Sequence, residues 1–151
     1  MTPREVADIA FEGSLNVVDA DFIPEAVILS AQQKFIKPAL NGLYDKIMGG
    51  GYAALTDEYV KPALAYYVRY LLLPTVSAQV GTVGVIQPKG AHFSSAADKT
   101  VAAVRRRTRS DANALMNRLV EHIEALPGDY PEYDPAQNVR NRVSTDAGVV
   151  L

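Results

Sequence analysis

The chain has 151 residues, about half of them apolar and a fifth charged, with a formal net charge of −2. That is enough chain for one domain with a buried core, and too little net charge to mark a nucleic-acid or membrane-surface protein by composition. The absence of cysteine excludes a disulfide scaffold, a thiolate metal site and a cysteine nucleophile, and fits a reducing compartment.

The opening MTPREVADIA lacks the basic start and apolar block of a signal peptide. Thr2, Pro3 and Glu5 instead predict a capped helix running to about Ala10, followed by a loop over residues 13–20. Asp21 is the expected N-cap of the next helix, with Pro24 and Glu25 in its first turn. Ile23, Val27, Ala31 and Phe35 recur at helical spacing and define its buried stripe. Pro38 pushes Lys37 out of the helical region, so a kink or break is expected there. Leu40, Leu43, Tyr44 and Ile47 continue the stripe until Gly49-Gly50-Gly51 ends it.

A second helix is expected from a Thr56 cap, with Asp57 and Glu58 at its positive end. Its stripe is Val60, Leu64, Tyr67, Val68 and Leu71, and Pro74 should stop it. The tetrapeptide Lys-Pro-Ala-Leu occurs in both helices, at 37–40 and 61–64. Pro62 should kink or restart the second helix as Pro38 does the first. The apolar stretch 63–76 contains Arg69 and Pro74 and is too short to span a bilayer. Residues 76–88 are rich in β-formers, and Val80-Gly81-Thr82-Val83 fits a two-residue hairpin. The longest helix should follow, from Ser95 with Asp98 as a capping box to Pro127-Gly128. Its stripe is Val101, Val104, Thr108, Leu115, Leu119, Ile123 and Leu126. Beyond it, Pro131, Pro135 and a scarcity of large aliphatics predict an extended arm.

The fold class is therefore mostly α. It is a small helical bundle of a short N-terminal helix, a kinked helix, a second helix and a long C-terminal helix. Residues 1–126 form the domain, with a β-hairpin at about 76–88 before the last helix, and 127–151 form the arm.

No catalytic constellation is visible. His92 and His122 lack ligands at metal spacing. The glycines at 81, 84 and 90 match no phosphate loop and suit hairpin turns better. No pair of carboxylates suggests acid–base chemistry. The chain is therefore expected to be no enzyme and to need no cofactor or metal. The sharpest polar feature is Arg105-Arg106-Arg107-Thr108-Arg109. A basic cluster can meet phosphate, but successive helical residues fan out by ~100°, which favours a solvated or intersubunit face over a single ligand site. Arg105, Arg106 and Arg109 are the interface candidates from this run. Tyr66 and Tyr70 fall off the buried stripe and suit a subunit interface. Val83, Val85 and Ile86 of the hairpin offer a sheet edge. In the arm, Tyr130, Tyr133 and the apolar end Val149, Val150 and Leu151 suit docking on a neighbour.

Six short motifs follow in a fixed order. They are Gln33-Lys34-Phe35-Ile36-Lys37-Pro38 with Leu43-Tyr44, Tyr59-Val60-Lys61-Pro62-Ala63-Leu64-Ala65-Tyr66, Gly84-Val85-Ile86-Gln87, Asp98-Lys99-Thr100-Val101, Tyr130-Pro131-Glu132-Tyr133 and Gly148-Val149-Val150-Leu151. In this order the chain resembles the head–tail connector (adaptor) proteins of tailed bacteriophages, closest to those of Bacteroidetes-infecting, crAss-like phages. The resemblance implies a structural virion protein, made in the host cytoplasm and placed at the neck. It implies a homo-oligomeric ring, typically twelvefold, that joins the portal protein to the tail or further neck proteins. DNA would pass through the lumen during packaging and ejection without sequence-specific binding, and no membrane is involved. The alternative reading is a small helical nucleic-acid-binding module led by Arg105–Arg109.

Overall fold

A computed structural model describes residues 1–11, 18–78 and 93–141 of the chain. Helix α1 (Pro3–Ala10) starts on the expected capping box: Thr2 Oγ1 accepts from the Glu5 amide, and Glu5 Oε2 accepts from the Thr2 amide at 2.7 Å. A 3-10 turn (Ala20–Phe22) leads into α2 (Glu25–Ala31), α3 (Lys37–Leu40) and α4 (Gly42–Met48). The short α5 (Ala53–Leu55) precedes α6 (Lys61–Ala78), and α7 (Phe93–Ala125) is the longest helix. The described residues are mostly helical and include no strand.

Both copies of Lys-Pro-Ala-Leu solve the proline problem in one way. A five-residue π turn precedes each, Gln32–Ile36 in the first and Thr56–Val60 in the second. The Lys37 amide bonds back to the Gln32 carbonyl, and the Lys61 amide to the Thr56 carbonyl, five residues in each case. The wider turn gives the pyrrolidine ring room over the preceding carbonyls, which an α turn would not. Lys37 therefore stays helical at φ −56° and ψ −46°, and Lys61 at φ −59° and ψ −47°. The break expected at Lys37 does not occur there; it falls four residues later, at Asn41.

The equivalence of the copies extends to packing. Ile36 and Val60, Ala39 and Ala63, and Leu40 and Leu64 are all buried. The aromatic residue before each copy stacks on another ring. Phe35 lies on Tyr67 at 4.2 Å between centroids, and Tyr59 on His122 at 4.3 Å.

Several boundaries differ from expectation. Asp21 lies inside the 3-10 turn, whose cap is Asp19, and α2 starts one residue after Pro24. Thr56 caps nothing: the helix has already begun at Ala53, and Thr56 Oγ1 donates to the Tyr52 carbonyl as an intrahelical back-bond. Pro74 does not stop α6, which continues to Ala78; one proline removes one backbone bond, and the next turn still closes. Ser95 lies within α7, which already starts at Phe93. Residues 76–78, taken as the start of the hairpin, belong to α6. The rest of the expected hairpin lies outside the described residues.

The core centres on α6. Helices α1 and α2 pack along it, and α7 packs along it too, while α7 makes no comparable contact with α1 or α2. From α6 come Leu64, Tyr67, Val68 and Leu72; from α3 and α4, Leu40, Leu43, Tyr44 and Ile47; from α7, Ala112, Met116, Leu119 and Ile123. Thr108 is buried as its spacing predicts, but Leu126 is exposed, one residue past the end of α7.

Candidate functional site

The expected arm is, over residues 127–141, a strap folded back on its own domain. Its seat is built at the end of the first Lys-Pro-Ala-Leu copy. Asn41 adopts φ 44° and ψ −120° and separates α3 from α4. Its carboxamide pairs with the backbone of Asp134 at two points: Nδ2 donates to the Asp134 carbonyl at 2.9 Å, and Oδ1 accepts from the Asp134 amide at 3.0 Å. Oδ1 also accepts from the Gly42 amide at 2.8 Å. At Gly42 a Cβ would stand 2.6 Å from the Glu132 carbonyl oxygen, so only glycine admits the strap. Tyr52, the other non-glycine residue with positive φ among those described (54°), donates its hydroxyl to Glu132 Oε2 at 2.7 Å. Both left-handed residues thus hold the strap.

Side chains of the strap complete the seating. Tyr130 packs beside Tyr52 at 5.2 Å and lies 3.2 Å from His122 Nε2 through its hydroxyl. The Tyr133 hydroxyl donates to Glu124 and accepts from the amide of the fully buried Asn138, both at 2.8 Å. Burial and the bond to Glu124 push the Tyr133 phenol up to about 12. The Tyr52 hydroxyl, with Lys46 as a weaker influence, holds the Glu132 carboxyl below its usual range.

The second surface lies where α6 meets α7. Tyr70 carries two guanidinium groups, Arg105 at 4.8 Å and Arg109 at 5.8 Å from its ring centroid. Phe35 meets the same ring edge-on at 6.3 Å. Among the described residues, none of Arg105, Arg106, Arg107 and Arg109 is paired with a carboxylate. Further along α7 a groove of about 560 Å³ runs between Arg109, Asn113, Asn117 and Glu124 on one side and Arg140 and Asn141 on the other. Arg140 spans it: Nη2 donates to Asn117 Oδ1 at 2.6 Å, and Nη1 to the Tyr67 hydroxyl at 3.2 Å. Tyr67 in turn donates to Asn113 at 2.8 Å.

Of the residues singled out from sequence, the structure brings Tyr70, Arg105 and Arg109 into one cluster. Arg106 is exposed beside it, and Tyr66 is half-buried against the core. Tyr130 and Tyr133 pack on their own domain. Val83, Val85, Ile86, Val149, Val150 and Leu151 lie outside the described residues. Sequence reasoning missed Asn41, Gly42, Tyr52, Asn138 and Arg140. The one available signal was Asn-Gly directly after a helical tetrapeptide, a pair that favours left-handed backbone. No group of three or more metal-ligating side chains lies together among the described residues, and none of the described helices is long and apolar enough to cross a membrane.

The arrangement defines a small helical domain that offers surfaces for contact. Polar side chains join its strap to the rest of the domain. A family model matches residues 23–143, from the start of α2 through the strap, and the chain belongs to that family, DUF6712, a family of unknown function. Neither the curated proteins nor the solved structures contain a match.

Proposed function

We propose that the chain is a structural subunit of a phage head–tail connector, assembled as a ring that joins the portal to the tail. The reading rests on the order of the motifs along most of the chain, which resembles that of connector proteins. Three of the six motifs fall on the two proline-linked helices and the strap, and Asp98-Lys99-Thr100-Val101 falls on α7. The hairpin expected at about 76–88 belongs to the same reading, less residues 76–78, which are helical, and it would reach toward a neighbour. The family match neither names a ring nor opposes one. Co-expression with a portal protein tests the proposal: the chain should co-purify as a closed ring on the portal. Failure to bind any portal or tail component would remove it. The apolar end Val149–Leu151 is assigned to the neighbour, so deleting it should weaken assembly while the monomer melts almost unchanged.

A second reading has one observation in its favour, the pair of guanidinium groups on Tyr70 without carboxylate partners. A nucleic-acid module built on them would bind duplex with steep salt dependence. Arg105→Ala with Arg109→Ala would lower the slope of log affinity against log salt by about 2. Salt-insensitive or undetectable binding would dismiss it.

A further inference from the structure

We infer that the basic face at Tyr70 is one half of a contact between copies of this chain. The other half is the acidic edge formed by the 3-10 turn and the start of α2. The inference rests on the ring reading for its purpose, and its own support is charge and position. Asp19, Asp21 and Glu25 are exposed, no lysine or arginine occurs between residues 18 and 33, and Arg4 of α1, which lines the same cleft as Asp19, forms no ion pair with them among the described residues. Between these acids stands Phe22, 65% exposed, with Leu29, 57% exposed, one helical turn beyond Glu25. An aromatic ring flanked by carboxylates is a receptor for guanidinium: the ring takes the cation's face and the carboxylates take its N–H edge. The basic face offers Arg105, Arg106, Arg107 and Arg109, all exposed and unpaired with acids among the described residues. Arg105 and Arg109 are held close to each other over one tyrosine, a like-charge arrangement that an incoming carboxylate stabilises.

Position decides between a contact within one molecule and a contact between two. Asp19, Asp21 and Glu25 lie on the 3-10 turn and the start of α2 and the arginines on α7, and α2 and α7 each pack along α6 without comparable contact between them. Within one copy no ion pair joins the two halves among the described residues. Two dissimilar, complementary patches that a subunit does not join to each other can give a head-to-tail contact, which closes into a ring when the rotation allows.

The chain has no cysteine, so single cysteines can report the contact. Ala26→Cys marks the acidic edge and Ser110→Cys the basic face; both residues are exposed. With a short bismaleimide at low salt, the mixture of the two variants should cross-link about tenfold faster than either variant alone. The advantage should vanish at about 1 M salt, where screening acts within ~3 Å. It should also vanish when Arg105→Glu and Arg109→Glu are added to the Ser110→Cys chain. It should return when that chain is mixed with Ala26→Cys carrying Asp21→Arg and Glu25→Arg. A mixture that cross-links no faster than its components, or a rate indifferent to both reversals, overturns the inference. Portal binding without preferential cross-linking would leave the ring reading standing and this contact wrong. Preferential cross-linking without portal binding would do the reverse.

Discussion

Asn41 holds a backbone conformation that costs a residue with a β-carbon about 1–3 kcal/mol, and its side chain recovers that cost through three hydrogen bonds. Asn41→Gly should relax the backbone but lose the strap, at about 1–2 kcal/mol. Asn41→Ala should lose the strap and keep the strain, at about 2–4 kcal/mol. Urea denaturation of the two variants checks the order, and an alanine variant more stable than the glycine variant would contradict it. Gly42→Ala should be as damaging as Asn41→Ala, because its Cβ meets backbone that cannot swing aside. Ionisation adds a pH signature. Lys61, bonded to Asp57 at 2.7 Å and to Glu5 at 2.6 Å, holds the Glu5 carboxyl down from 4.5 to about 2. That contribution is present above pH 4.5 and is lost as pH falls through 2. The same cluster raises Lys61 from 10.5 to about 12, so its share is present below pH 10.5 and lost as pH rises through 12. Both groups are partly exposed, which limits each share to under about 1 kcal/mol. Glu5→Gln should flatten the acid limb of a melting-temperature profile, and an unchanged limb would show that the pair contributes nothing.

At the scale of elements, the repeated tetrapeptide is a structural device used twice, and its legibility was partial. The stripes of both helices were visible, because burial follows helical spacing whether or not a turn is widened. The response to proline was not. A rule for the residue before proline assumes a neighbouring α turn, and a π turn changes the geometry without a distinctive sequence mark. Pro62→Ala should therefore change stability by less than about 1 kcal/mol, since the clash is already relieved; a gain of about 3 kcal/mol in thermal or urea unfolding would show that it is not. The strap was illegible for a different reason. Tyr130, Tyr133, Asn138 and Arg140 bury themselves through polar hydroxyls, amides and a guanidinium, so the segment carries no hydrophobic period. Truncation after Leu126 should lower the melting temperature by about 10 °C, because it uncovers Tyr67, Tyr52 and Asn41 together. A loss of one or two degrees would mean that the strap is held only weakly.

At the scale of the whole molecule, α6 is the centre of the core, packed by α1, α2 and α7. The acidic edge packs with α1, and the arginine face lies where α6 meets α7. The Arg69 guanidinium shows how α6 ties the N-terminal side in place: Nη1 donates to the Ala10 carbonyl at 2.6 Å, at the end of α1, and the group lies over the Phe11 ring at 5.2 Å. The arginine run was conspicuous in the sequence. Its concentration on one tyrosine was not, because Tyr70 lies 35 residues before Arg105 and the two meet only through the packing of α6 on α7.

The Asn41 seat also has a consequence for the order in which the molecule is made. Its partner lies 93 residues further along the chain. On the ribosome, α1 to α6 emerge while Asp134 is still unmade, and of the three bonds that compensate a left-handed Asn41 only the one from the Gly42 amide is then within reach. The division between α3 and α4 is therefore a late event in biosynthesis, set when the strap arrives, and a nascent chain arrested before residue 134 should carry that joint unset.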